Sequence, residues 1–176
     1  IFLELENINT YKKIVTKVYL PTPNGHSTEI DLVMICETGI YVIESKNYSG
    51  WIFGNEKNKY WTETFKTSKH KFYNPVWQNK IHINALRFLL DISDYNFKSY
   101  IVFGNKSKLK KISVKSQNVK VINRYELRKN LVFDIRNANT ILSTYEIDYY
   151  YEKLSSYTHA DEQTKYEHIK SIRNRR

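Results

Sequence analysis

The stretch "TEIDLVMICETGIYVIESKN", residues 28–47, decides the fold. Two apolar, partly β-branched runs meet across Thr38-Gly39, the pattern of two antiparallel strands closed by a tight turn. Side chains alternate along a strand. Glu29, Asp31, Val33 and Ile35 therefore share one face of the first strand, and Val42, Glu44 and Lys46 share one face of the second. A two-residue loop at Thr38-Gly39 pairs Glu37 with Ile40, and so sets Asp31 opposite Lys46 and Val33 opposite Glu44. Asp31 and Glu44 become diagonal neighbours, with β-carbons about 7 Å apart or less. A slip of one residue would move Asp31 to the other face.

Charges inside strands that read as core have two explanations. One is an ion pair on a wet sheet face, which contributes little. The other is a site, because charge in a core is costly unless it is paired or bound to metal. Two converging carboxylates repel, and one of them keeps a proton unless a cation intervenes. Oxygen ligands of this kind suit Mg²⁺ or Mn²⁺, with water completing the shell, and the backbone carbonyl of Ser45 lies between the two charged side chains as a further ligand. Such an ion polarises a phosphoryl oxygen and acidifies water. Lys46 could then hold or deprotonate the attacking water, or steady charge in the transition state.

Outward from this stretch, residues 1–9 read as the end of a helix and "KKIVTKVYL", residues 12–20, as a strand. "PTPNGH", residues 21–26, is a loop. "WIFG" and "KYWTETF" are short strands, in which Trp51 and Trp61 are expected to pack in the core or at an edge. "KTSKHKFYN", residues 66–74, reads as a polar, basic loop. Asn74 and Pro75 are an N-cap and a first helical residue, and predict a helix running to about Ser93. Trp77, Ile81, Ala85 and Leu89 predict its buried stripe, and Gln78 and His82, four apart, share a face beside it. "SYIVFGN" and "NVKVI" read as strands. Asn123 with Glu126, and Ser143 with Glu146, are helix-start signatures, and a basic helix is expected through "YEHIKSIRNRR". The order of helix, strands, helix, strands and helices indicates an α/β or α+β sheet flanked by helices.

The chain has 176 residues, which suits one domain, expected over 1–176 with a helical part from about 123. Its net charge of +10 favours polyanionic partners, nucleic acid above all, and a membrane-surface role would rest on charge alone. Cys36 is the single cysteine, which excludes an internal disulfide and a cysteine-based zinc site. It fits a reducing cytoplasm, the expected location. No apolar run reaches the roughly 20 residues that span a bilayer.

"TEIDLVMICETGIYVIESKNYSGWIFG", followed by "YW" and "NPVWQNKIH", resembles the nuclease-related domain of the PD-(D/E)XK nuclease superfamily, most strongly over about residues 12–90. The resemblance implies a mixed sheet flanked by helices, a restriction-endonuclease-like core, and metal-dependent phosphodiester hydrolysis. It implies that Asp31 binds the metal, that Glu44 and Lys46 are the ends of the carboxylate-x-Lys motif, and that Gln78 stands beside them. His82 ends the Gln-x-x-x-His pattern, and Glu29 is a supporting candidate. The further acid that many members carry on the first helix has no match among Glu4 and Glu6, so it is expected before Ile1 or is missing. The expected activity is a Mg²⁺- or Mn²⁺-dependent nuclease on DNA, with Lys66, Lys69, Lys71 and Lys80 meeting phosphates. The alternative is a nucleic-acid-binding module with weak or no hydrolysis.

Overall fold

The computed structural model describes residues 1–22, 27–66 and 68–158. From the N-terminus it runs through α1 (Phe2–Glu6), β1 (Lys12–Pro21), β2 (Ser27–Cys36), β3 (Gly39–Lys46), β4 (Trp51–Asn55), β5 (Tyr60–Phe65) and β6 (Ser68–Tyr73). It continues with α2 (Pro75–Leu90), β7 (Phe97–Phe103), β8 (Lys108–Ser113), β9 (Val119–Asn123), α3 (Leu127–Asn137) and α4 (Thr144–Ser155). Two sheets result: a five-stranded sheet in the order β1-β2-β3-β7-β9, and a four-stranded sheet in the order β6-β5-β4-β8. Each is mixed. β2 runs antiparallel to both β1 and β3 while β7 and β9 run parallel to β3, and β8 runs parallel to β4 beside two antiparallel pairings. The mixed α/β architecture expected from the sequence is therefore present.

The central hairpin forms, but its turn is Glu37-Thr38, so Cys36 pairs with Gly39 and Val33 with Val42. The expected pairing of Val33 with Glu44 is thus corrected by two residues, which leaves Val33, Ile35, Val42 and Glu44 on their expected face. The ladder ends at Gly39. Its φ of +127° and the Asn96 carbonyl, which a β-carbon there would approach to 2.5 Å, let only a glycine stand at this end of the ladder. Thr38 is buried in the turn by hydrogen bonding with the Tyr41 hydroxyl at 2.8 Å.

Further corrections share a physical origin. Residues 68–73 are not loop but β6, an edge strand whose only buried side chain is Phe72, so it carries no alternation to read. β8, equally polar, was not anticipated. α2 stops at Leu90, where Asp91 takes a left-handed cap conformation at φ 54°. Its buried face is Val76, Asn79, His82, Ile83, Ala85, Leu86 and Leu90, while Trp77, Ile81 and Leu89 are half-buried. Two members of that face are polar, so an apolar stripe pointed beside it. The basic helix expected at 166–176 and the heart of the 21–26 loop lie outside the described residues.

Three apolar clusters hold these layers. One face of the large sheet, with Val33, Ile35, Ile40 and Val42, packs against Leu86 of α2 and Ile147 and Leu154 of α4. The other face, with Met34, Tyr41, Ile43 and Tyr100, packs against Leu5 of α1 and Leu127 and Leu131 of α3. The third cluster joins the sheets: Ile101 and Phe103 of β7 meet Ile52, Trp61, Phe72 and Val76. Each such side chain contributes about 1.5–3 kcal/mol through removal from water.

Candidate active site

β3 delivers Glu44, Ser45 and Lys46 at its C-terminal end, and α2 lies across that end. Asn74 fixes the start of α2. Its side chain accepts from the Val76 N–H at 2.9 Å and donates to the carbonyls of Asn58 and Glu56 at 2.8 and 3.0 Å. Farther along, Asn79 donates to the Val42 carbonyl at 2.9 Å and to the Ser99 hydroxyl at 2.8 Å, which ties α2 to β3 and β7.

This clamp sets Gln78 and His82 over Glu44. The Glu44 carboxylate is 3% exposed, and both oxygens are engaged: Oε1 is 2.7 Å from Lys46 Nζ, and Oε2 is 3.0 Å from His82 Nε2. Lys46 Nζ also donates to Gln78 Oε1 at 2.8 Å. His82 Nδ1 meets the Thr28 hydroxyl at 2.8 Å, so the ring is held from both sides. Burial pushes the Glu44 carboxyl up, but the His82 hydrogen bond and the Lys46 charge outweigh it and hold it below the usual carboxylate range.

Asp31 is the second carboxylate. The β2–β3 ladder ends at Leu32 and Ile43, and one step beyond it Asp31 comes directly across from Glu44 rather than diagonal to it. Asp31 Oδ2 there accepts the Ser45 N–H at 2.8 Å, in place of a backbone carbonyl. Burial and then the charge of Glu44 raise the Asp31 carboxyl above its ordinary range. Successive backbone groups of a strand point to opposite neighbours. The Lys46 carbonyl goes to Gly104 on the β7 side, so the Ser45 carbonyl looks toward Asp31.

The strands are distorted where Asp31 sits. The β1–β2 ladder passes from Thr16–Leu32 to Val18–Ile30 without pairing Lys17 with Asp31, and Lys17 has a φ of 53°. A side chain in that conformation costs about 1–2 kcal/mol. Alternation slips here: Ile30 and Val33, three apart, both join the core on the α2 side. Thr28 and Ile30 on that side turn Glu29 away, and Glu29 instead bonds the Tyr19 hydroxyl across the ladder. Burial and this bond push Tyr19 up to about 12.

The structure thus brings Asp31, Glu44, Ser45, Lys46, Gln78 and His82 together, and places Glu29 against Tyr19. Lys69 and Lys71 lie on β6, exposed, Lys66 precedes it, and Lys80 lies on the outer side of α2. Trp61 is core, whereas Trp51 is 50% exposed. Sequence reasoning missed Thr28 and Asn79, since a lone Thr and a lone Asn carry no signal until α2 is docked. A broad hollow between α1 and α3, lined by Ile8, Arg128, Val132 and Phe133, opens on the other side of the large sheet from Glu44.

No cluster of three or more His, Cys, Asp or Glu side chains is arranged around a metal position among the described residues. The donors that do converge are hard oxygens, two carboxylates and a carbonyl, and that set fits an ion such as Mg²⁺, which keeps several waters and shares substrate phosphate. The one obstacle is that Glu44 Oε1 would have to exchange its Lys46 partner.

A mixed sheet that opens at Asp31, with a carboxylate and a lysine two residues apart on the neighbouring strand, defines a protein of the nuclease-related class. The nuclease-related domain profile matches residues 1–104, and the chain belongs to that family, within the PD-(D/E)XK-like nuclease superfamily. The chain is also similar to an uncharacterized protein of Bacillus anthracis, pXO1-01/BXA0003/GBAA_pXO1_0003, with 31% identity over 164 residues, covering 92% of this chain and 74% of that protein. Among solved structures it is similar to AF1548, a protein of unknown function, at 14% identity and a TM-score of 0.36 over 97% of this chain and 91% of that one, a likeness too slight to carry an argument. Membership implies a nuclease-related role with nucleic acid as the substrate class. No helix among the described residues is long and apolar enough to cross a membrane.

Proposed function

We propose that the Asp31–Glu44–Lys46–Gln78 group hydrolyses phosphodiester bonds of DNA, with Mg²⁺ or Mn²⁺ held by Asp31, Glu44 and the Ser45 carbonyl. One observation carries this reading: Asp31 and Glu44 stand across from each other where the β2–β3 ladder ends, and burial and then the charge of Glu44 raise the proton affinity of Asp31. That conflict serves no purpose in a structural ion pair, and a divalent cation relieves it. When bound, the ion supplies Lewis acidity toward a phosphoryl oxygen and toward water. The protein's own groups do the rest. His82, braced by Thr28, keeps Glu44 Oε2 in place. Gln78 holds Lys46 at the mouth of the site, where its ammonium can orient the attacking water or meet the charge on the phosphoryl group.

A second reading is favoured by the engagement of both Glu44 oxygens: the same fold binds nucleic acid without cutting it. One assay separates the two. Circular and linear DNA are incubated with Mg²⁺, Mn²⁺ or EDTA, beside Glu44→Ala and Lys46→Ala. Cutting that requires metal and both residues is the expected result, and cutting of circles makes the enzyme an endonuclease. Cutting that survives both substitutions would sink the catalytic assignment. Salt-sensitive retention of DNA without cutting would favour the binding module.

A further inference from the structure

The outer face of the small sheet, which carries Lys69 and Lys71, takes no part in the packing of the core. Its inner face, with Ile52, Trp61 and Phe72, is buried against the large sheet. Residues paired across strands share a face, so the register writes the outer one row by row. One row reads Lys69, Thr64, Trp51, Lys108. The next reads Lys71, Thr62, Phe53, Lys111. Beyond them Tyr73 and Tyr60 face each other.

The pattern is regular. The two edge strands supply lysines, the inner strands threonines and aromatic rings, and the edge columns stand three strand spacings apart, about 14 Å. A bulge in β8 between the two rows makes Lys110 an extra residue, and its ammonium lies 4.6 Å from the centre of the Trp51 ring. Trp51, Tyr60 and Tyr73 are exposed, as are Lys69, Lys71, Lys108, Lys110 and Lys111. The only acid in the four strands, Glu63, sits on the inner side, where its Oε1 accepts the N–H groups of Ser49 and Gly50. Lysines on edge strands also discourage sheet-to-sheet pairing. That purpose needs no aromatic column between them.

We infer that this face is a binding platform for single-stranded nucleic acid, on which bases stack on Trp51 and its neighbouring rings while the phosphates meet the flanking lysines. An acid-free field between two lysine columns complements a polyanion, and exposed rings accept bases of any identity. A duplex keeps its bases stacked inside and offers these rings nothing. A base arriving on Trp51 displaces the Lys110 ammonium from the ring toward that base's phosphate. The inference rests on the nucleic-acid reading of the protein but not on catalysis by Glu44.

The test is fluorescence anisotropy in EDTA, with fluorescein-labelled 15-mers of deoxythymidine and of uridine and a 15-base-pair DNA duplex. Both single strands are expected to bind at least about tenfold more tightly than the duplex. Trp51→Ala should weaken single-strand binding by about tenfold, within the range of one lost stack. Trp51→Phe should retain most of it, and Lys129→Ala, on α3, should retain all of it. Trp51 fluorescence should be quenched by the strand, and most of the quenching should be lost in Trp51→Phe, because Trp61 is buried and Trp77 is half-buried with its indole N–H bound to the Glu56 carbonyl. Preference for one of the two strands names DNA or RNA as the occupant. Equal or tighter duplex binding, or Trp51→Ala within twofold of wild type, would overturn the inference. Cleavage is scored separately with metal. Cutting with no Trp51-dependent binding sinks the platform alone, and binding without cutting sinks the nuclease reading alone.

Discussion

At the scale of single residues the centre is an equilibrium between pairing and repulsion around one buried carboxylate. Removing the ammonium leaves Glu44 with His82 alone. Lys46→Met should therefore lower stability by about 2–3 kcal/mol, read from the urea midpoint, as expected when one partner of a buried pair is lost. Glu44→Gln should cost less, because Lys46 keeps Gln78 and some water. The acid limb of stability follows from the same shift. Glu44 is held lower in the folded state, so its contribution is complete above the unfolded value of about 4.3 and is lost as pH falls through the lower folded value. Asp31 shifts the opposite way, so its share favours folding at low pH and declines as pH rises through its raised value. Wild type should thus lose urea resistance between about pH 4 and pH 3 more steeply than Glu44→Gln. Equal slopes would show that Glu44 is not the group being titrated.

At the scale of elements, two local features can be tested without the chemistry. Asn74 is wholly buried and closes the β4–β5 turn while it caps α2. Asn74→Ala should cost about 2–3 kcal/mol, which for a chain of this size lowers Tm by roughly 5–10 °C in a calorimeter. Lys17→Gly removes a side chain from a left-handed position and should raise stability by about 1 kcal/mol, read from the urea midpoint. These elements also mark what sequence could and could not tell. The hairpin was readable because both of its strands are buried on two faces, and the start of α2 because Asn74-Pro75 is a local signal. The register was missed by two residues, because the close packing of Gly39 on the Asn96 carbonyl, distant in sequence, is invisible until the chain has folded. β6 and β8 were unreadable because strands at an edge bury almost nothing. The residues gathered at Glu44 were named from a motif, whereas the hold of Thr28 and Asn79 on α2 exists only once the helix is docked.

At the scale of the whole molecule, the two sheets are joined by aromatic packing, with Trp61 stacked on Phe103 at 6.3 Å between ring centres and 7° between planes. A β-carbon on Gly54 would lie 2.1 Å from the Trp61 ring, so Gly54→Ala should loosen that joint and Trp61→Ala should cost about 3–5 kcal/mol. The joint sets the small sheet beside the end of β3, through the Lys108 N–H to the Gly50 carbonyl and the Ser107 hydroxyl to the Tyr48 carbonyl. Its five outward lysines imply a salt slope of about −3.5 for a single strand that contacts them all, from −0.7 per phosphate contact, measurable from affinity against salt concentration.

The placement of Glu44 against Ile101 in the parallel pairing of β3 with β7 has a consequence during synthesis. The hairpin that carries the acids leaves the ribosome ahead of β4 to β6 and α2, all of which must follow before β7 can close beside it. At about 5–20 residues per second that interval is a matter of seconds. Until α2 has emerged and docked, Gln78 and His82 are absent from the site, and Glu44 and Lys46 stand in water as an ordinary surface pair. A chain that emerges near messenger RNA thus carries Glu44 and Lys46 apart from Gln78 and His82 until α2 has followed and docked.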